Sequence, residues 1–307
     1  MPLRLATITN HIALGRSLTL EEDSKARESL RVLRHYLNDH GPHVAMQKNF
    51  QEFDHLVGEF ADAFNRDQRA LMTSQHLDAM MLEANRLLMN ALGSTRSYID
   101  MTDRRLGQRG AALQARYRAW RSLMYDQSLS YRIFENLRNV AQHIELPIRA
   151  FSAVRERTKD GTYRASQVLM IDREAFLKAE KIQPRVRDEL ARLKGNIPVV
   201  EHAREYLSRL AKVQALITRE TVGEYVPHAE FVEQLVREAG DPLVVPVYFI
   251  DLVGEIEVSI ELNLIDPMMH AVALVRLNSE FVNSFDFRQI DADASRHPRW
   301  PGKPEKS

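Results

Sequence analysis

Arg138, Asn139 and His143 are the side chains of this chain best suited by type and spacing to chemistry on a phosphate. Arginine stays charged and can hold phosphate oxygens with a two-pronged set of donors. Histidine titrates near neutrality and can donate or accept a proton. Asn139 directly follows Arg138 and can position it or a phosphate oxygen. An arginine can stabilise negative charge that builds on a phosphate, and a histidine can move protons beside it.

The element that must position them is residues 130–147, SYRIFENLRNVAQHIELP. Phe134, Leu137, Val140, Ala141 and Ile144 recur at three- and four-residue steps, which is the buried stripe of an amphipathic helix. At about 100° per residue, Glu135, Asn139 and Gln142 fall roughly opposite that stripe. Arg138 and His143 fall on its flanks, about 140° and roughly 7.5 Å apart, so in one straight helix they border a polar strip without touching. Pro147 cannot continue the helix and biases Leu146 towards an extended conformation. The motif helix is therefore expected over residues 130–146, ending near Ile144, with His143 in its last turn.

Arg138-Asn139-Val140-Ala141-Gln142-His143 resembles the signature of the HEPN superfamily, an arginine, four intervening residues and a histidine, with a polar residue after the arginine. An upstream helix running from Leu82 through Asn85-Arg86-Leu87-Leu88 to Tyr98-Ile99-Asp100 looks like the long first helix of a group of bacterial HEPN-like proteins. Leu146-Pro147-Ile148 is similar too, and the likeness covers roughly residues 77–217. What it implies is a helical bundle and a metal-independent endoribonuclease without a cofactor. In active members the RNA's own 2′-OH attacks the adjacent phosphorus, leaving a 2′,3′-cyclic phosphate and a 5′-OH. Arg138 and His143 would be the catalytic pair, Asn139 would orient them, and Glu135 and Gln142 would support them. The family builds its site between two protomers, so the resemblance implies a homodimer with two copies of the motif around one groove. Tyr131 and Phe134 are candidates to help that dimer pack. It further implies a toxin or phage-defence effector, with a protein antitoxin or regulator as a further partner. Many HEPN proteins keep the fold for binding or dimerisation only. The alternative is therefore a non-catalytic interaction protein in which Arg138 pairs with Glu135 and a charged His143 steadies the helix C-terminus.

Composition limits the partners. The 307 residues carry 42 basic and 42 acidic side chains, for a formal net charge of zero. A general nucleic-acid coat protein would be basic, whereas a local arginine cluster is compatible with neutrality. Arg104, Arg105, Arg109 and Arg116, followed by Arg118 and Arg121, form such a stretch just before the motif helix. It reads either as a phosphate-tracking surface or as a solvated helix face. There is no cysteine, which excludes disulfides and thiolate metal sites and suits a reducing cytoplasm. The most apolar stretch, residues 243–265, contains Pro246, Asp251, Glu255, Glu257 and Glu261, so no membrane span is expected. His35, His40 and His43, with Asp39, could bind zinc, but no second ligand cluster accompanies them and no metal is assigned. Glu255, Glu257 and Glu261 read as a solvated strand face. A glycine-rich phosphate loop, a nucleophile elbow and a dinucleotide fingerprint are all missing.

The periodicity predicts a mainly α fold: an HEPN-like helical domain over residues 1–220, a small antiparallel β appendage over 221–292 and a disordered tail over 293–307. Leu3, Leu5 and Thr7 could start a short strand. A helix begins after Thr19 or Ser17 and stops at Gly41-Pro42, and a second follows over 43–64. Helices are expected over 75–106 and 111–125, a strand over 162–171, a short helix capped by Asp172, and helices over 184–193 and 199–218. Residues 255–264 alternate as a half-buried strand, with 243–252 and 269–277 as its neighbours.

Overall fold

Thr19 and Glu22 open the first long helix by capping each other. The Thr19 amide donates to Glu22 Oε2 at 2.7 Å and the Glu22 amide donates to Thr19 Oγ1 at 3.1 Å. This satisfies two of the amides that a helix start leaves without partners. The structure is a computed structural model describing residues 4–8, 12–66, 74–141, 146–157, 163–179, 182–239, 247–253, 257–259 and 265–301. In chain order its first half contains β1 (Arg4–Ile8), β2 (Ile12–Ser17), α1 (Leu20–Arg66), α2 (Ser74–Arg109), α3 (Ala111–Gln127), α4 (Leu129–Ala141) and β3 (Ile148–Arg157). The second half contains β4 (Tyr163–Ile171), α5 (Arg173–Lys178), α6 (Pro184–Ala191), β5 (Ile197–Pro198), α7 (Val199–Thr221), α8 (Val226–Ala239), β6 (Val247–Val253), β7 (Glu257–Ser259), α9 (Ile265–Ser284) and α10 (Arg288–Arg296). The fold is mainly α.

Gly41-Pro42 does not end a helix, contrary to expectation, because Pro42 lies inside α1. An interior proline costs about 3 kcal/mol through its missing N–H and ring clash. Apolar burial on both sides offsets this: Leu33 and Tyr36 before it, and Met46, Phe50 and Phe53 after it, are at most 3% exposed. The Gly-Pro pair instead marks a border between two compact units. One comprises Met1–Gly41 with Ala215–Phe287, the other Pro42–Gln214 with Arg288–Ser307.

In the first unit the strand order is β2-β1-β6-β7 with antiparallel neighbours, so the N-terminal hairpin pairs with a strand from the far end of the chain (Leu5 opposite Phe249). The core gathers Leu33 and Tyr36 of α1, Val232, Leu235 and Val236 of α8, and Ala271, Val272 and Val275 of α9. Residues 269–277, expected to be a strand, are instead part of α9. Their burial at 271, 272 and 275 follows a helical period, and a short apolar run does not distinguish the two by pattern alone. Of the alternating stretch 255–264, Glu257–Ser259 forms β7 opposite β6, and the remainder lies outside the described residues.

In the second unit α2 and α3 form a hairpin turning at Gly110, whose φ of +154° is strained for any L side chain. A Cβ on Gly107 would come within 2.8 Å of the Gln114 amide, so glycine leaves room for that side chain between the two helices. Rings fill the interior: Tyr206 stacks on Phe134 at 5.1 Å and meets Tyr131 edge-on at 4.9 Å. Beside them lies an antiparallel sheet of order β3-β4-β5. The sequence pattern reveals β4 but not β3. Asp172 caps α5 as expected, its Oδ1 accepting from the amides of Glu174 and Ala175. Residues 293–301, expected to belong to a disordered tail, are instead packed: α10 lies on α3, with Ala294 buried and Trp300 6.2 Å from Trp120. The Trp rings and His297 explain why a polar, proline-bearing segment stays ordered.

One side chain ties the start of β3 to α2. Asn85, 1% exposed, donates to the Ile148 carbonyl at 2.9 Å and accepts from the Ile148 amide at 2.8 Å. Replacing Asn85 with Leu leaves both buried backbone groups unpaired, at about 1–3 kcal/mol each. Asn85→Leu is therefore expected to lower the urea midpoint clearly, while Leu82→Ala, at an exposed position on the same helix, leaves it nearly unchanged.

Candidate functional site

The motif helix α4 is held by polar contacts at its start. Ser128 Oγ accepts from the Tyr131 amide at 3.2 Å and donates to Glu205 Oε1 at 2.7 Å. Ser130 Oγ lies 2.7 Å from both Glu205 Oε2 and His202 Nδ1. One turn on, Arg132 grips Glu189 with two parallel bonds of 2.7 and 3.0 Å and donates to the carbonyls of Tyr125 and Asp126 at the end of α3. Asn136 donates to the Arg132 carbonyl at 2.8 Å and accepts from the Gln183 amide at 3.1 Å. The helix is consequently buried on nearly every side rather than along one stripe. Tyr131 and Phe134, expected at a dimer surface, lie in the core at 1% and 0% exposure because they pack on Tyr206 within the same unit.

Arg138 stands at the last turn of α4. Its side chain is 14% exposed and its Nη1 lies 3.8 Å from Glu135 Oε2, an ion-pair distance without a hydrogen bond. Glu135 Oε1 accepts from the Tyr206 hydroxyl at 2.8 Å, and Oε2 lies 4.0 Å from Arg121. Burial pushes the Tyr206 phenol well above its ordinary range, and the Glu135 charge adds to this, so Tyr206 remains a neutral donor. The side chain of Asn139, and Gln142 and His143 altogether, lie outside the described residues. The structure thus places Arg138 and Glu135 side by side, and the other motif positions fall outside it.

Glu135 and Tyr131 also line an open groove of about 1110 Å³. From α2 come Arg96, Asp100, Asp103, Arg104 and Gly107, and from α3 come Gln114, Arg118, Arg121, Ser122 and Tyr125. Both sets step i, i+4, i+7, i+8, i+11, one continuous helix face each. That matched polar period is the signal the sequence carries for the groove, and reading the arginines as one run hides it. Arg299 also lines the groove, and no local pattern announces it. The four arginines expected to contact RNA are not gathered here. Arg104 lines the groove, Arg105 donates to Thr102 Oγ1 at 3.3 Å with Nε and Nη1 buried, Arg116 has its Nε buried, and Arg109 ends α2.

Most charges in the groove are matched. Arg118 holds Asp103 through two bonds of 2.7 Å, which keeps that carboxyl below its usual range. Arg96 pairs with Asp100, and Arg299 donates to Ser122 Oγ at 2.9 Å. Asp126 meets Arg185 at 2.9 Å and His297 at 3.0 Å; burial pulls its pKa up, but these partners outweigh it. Tyr131 is pushed up to about 12, chiefly by burial, so its hydroxyl stays protonated. Comparison with protein-family models, with curated proteins and with solved structures finds no match for this chain. Among the described residues no group of three or more His, Asp or Glu could hold a metal ion, and no helix is long and apolar enough to cross a membrane. His40 meets the Tyr36 ring at 4.7 Å and His43 meets the Tyr98 ring at 5.4 Å, both tilted.

His202, against the start of the motif helix, makes a pH prediction. Burial outweighs the opposing pull of Glu205 and Glu201 and holds its pKa below 6.5. The unfolded chain therefore binds the proton first, so this contribution to stability is complete above pH 6.5 and is lost as pH falls below it. The lowered carboxyls act only towards pH 4. Thermal unfolding from pH 7.5 to 5.5 is expected to show a falling midpoint, with a smaller fall in His202→Gln; equal falls would place the titration elsewhere.

Proposed function

We propose that this chain acts on RNA as a metal-independent endoribonuclease of the HEPN type, working as a homodimer in a toxin or phage-defence role. The observation that supports it best is the continuity of one helix face. Tyr131 and Glu135 line the groove, and Arg138 follows them at the next helical step. The arginine needed for phosphate chemistry thus stands on the same face as a polar, arginine-bearing channel.

In this reaction the 2′-oxygen forms a bond to the adjacent phosphorus and the 5′-oxygen leaves. The products are a 2′,3′-cyclic phosphate and a 5′-hydroxyl. Arg138 stabilises the charge on the phosphorane oxygens, and His143 of one or the other copy transfers the proton between the two oxygens. Asn139 orients Arg138 and the phosphate, and Glu135 and Gln142 support them from behind. Single-stranded or loop RNA is the expected substrate, since its 2′-hydroxyls are accessible.

A second reading, a non-catalytic dimerisation or interaction protein, is favoured by one specific contact. Arg138 is only 14% exposed and already faces Glu135. The two readings part in one assay. Purified protein incubated with labelled, unstructured RNA in EDTA is expected to cleave it, and Arg138→Ala and His143→Ala each to lose at least about 100-fold. Mass spectrometry should find cyclic phosphate ends. An intact dimer that leaves several RNAs uncut supports the interaction protein, and cleavage untouched by either substitution moves the site elsewhere.

A further inference from the structure

Groove carboxylates and groove arginines are unequally satisfied. Each lining carboxylate already has a close partner: Asp100 has Arg96, Asp103 has Arg118, Asp126 has Arg185 and His297, and Glu135 has the Tyr206 hydroxyl. Two of the arginines do not. Arg104 is exposed and has no ion-pair or hydrogen-bond partner among the described residues. Arg121 is a quarter exposed, and its nearest carboxylate is Glu135, at the 4.0 Å limit and already engaged by Tyr206. Its Nε is shielded from water without an acceptor, and the polar group against the guanidinium is the neutral Tyr131 hydroxyl, itself 1% exposed and lining the same groove. The Arg121 guanidinium lies 5.7 Å from the Tyr117 ring, which holds the cation without neutralising it.

A cation that cannot lose its proton, partly withdrawn from water and lacking a close counter-charge, favours an anion in the space it faces. A neutral phenol donor beside it adds to that preference and does nothing for a cationic or apolar ligand. The groove's volume is also more than a single inorganic ion needs, and its walls carry Gln108, Gln114 and Gln183 as uncharged donors and acceptors. We infer that the α2–α3 groove is a phosphodiester-binding channel for RNA, with Arg121 at its floor and Arg104 at its rim, acting separately from Arg138. The RNA identity of the ligand rests on the function proposed above, whereas the preference for a phosphate rests on the groove alone.

The test measures binding without cleavage. In an Arg138→Ala background, the affinity for a fluorescent oligoribonucleotide is followed by anisotropy across a salt series. Removing one phosphate-binding cation lowers the slope of log affinity against log salt by about 0.7 for a single strand. Arg104→Gln and Arg121→Gln are each expected to weaken binding and flatten the slope, while Arg192→Gln, exposed and outside the groove, changes neither. Arg104 is on the surface, so its variant remains informative if Arg121→Gln fails to fold. Competition with inorganic phosphate and with adenosine monophosphate tells a free-phosphate or mononucleotide site from a polymer channel: a polymer channel yields to either only at far higher concentration than to unlabelled RNA. No RNA binding by the Arg138→Ala protein, an unchanged slope in Arg104→Gln, or displacement by phosphate as easily as by RNA overturns the channel. Binding that follows these expectations in a protein that never cleaves RNA retains the channel and discards the nuclease. Cleavage with the salt slope unchanged in the groove variants does the reverse.

Discussion

The second unit depends on what Arg132 does. Helix α3 ends with carbonyls that have no partners in their own helix, and two of them, from Tyr125 and Asp126, receive donors from Arg132. The same guanidinium takes both oxygens of Glu189 on α6, and its side chain is 7% exposed. A buried arginine is tolerable only where its donors are met and its charge is balanced, and this one has both. One residue of the motif helix therefore fixes where α3 stops, where α6 docks and how α4 is turned. Removing only the arginine would leave a carboxylate and two carbonyls facing each other, which is why such a pair constrains orientation more than it adds net stability.

Once α4 is turned in that way, the rest of its face is settled. Phe134 goes inward against Phe50 of α1 and Tyr206 of α7, Leu137 is buried, and Tyr131 and Glu135 reach the groove wall. The Tyr206 hydroxyl meets Glu135 from the core side, so a carboxylate at the edge of an aromatic cluster stays hydrogen-bonded. The seryl cap and Glu205 hold the other end of the same helix. The polar contacts around α4 thus orient the candidate site, and the rings supply the burial that offsets the cost of that orientation.

Most helices are legible in the sequence because their signals are local. The Thr19–Glu22 box, the Asp172 cap and the long apolar stripe of α2 each depend on residues a turn or two apart. What is not legible depends on partners remote in sequence. Met269 to Leu277 has an apolar composition that suits a strand or a helix, and only packing on α8 decides for α9. Pro42 reads as a stop, yet burial on either side overrides it. The strand β3 carries arginines and a glutamate that mask its period, and its identity comes from a nine-pair register with β4. The site divides likewise. Glu135 beside Arg138 follows from a three-residue step in one helix, whereas Glu189, Tyr206 and Arg299 enter from elements that no local spacing brings together.

The contact between Glu135 and Arg138 does not by itself decide between a resting and an active arginine. At 3.8 Å it lacks a hydrogen bond, and Glu135 divides its charge among Tyr206, Arg121 and Arg138. A phosphodiester carries a full charge and can accept charge-assisted bonds near about 2.7–2.9 Å from the same guanidinium. Exchange of Glu135 for phosphate would therefore replace a long, shared contact with short, directed ones, and Glu135 would keep its bond to the Tyr206 hydroxyl. An arginine locked by two short bonds to a dedicated carboxylate, as Arg132 is by Glu189, would not be available for that exchange. The two arginines of this helix therefore differ in how they meet their carboxylates, Arg132 through two short bonds to Glu189 and Arg138 through one long contact with Glu135.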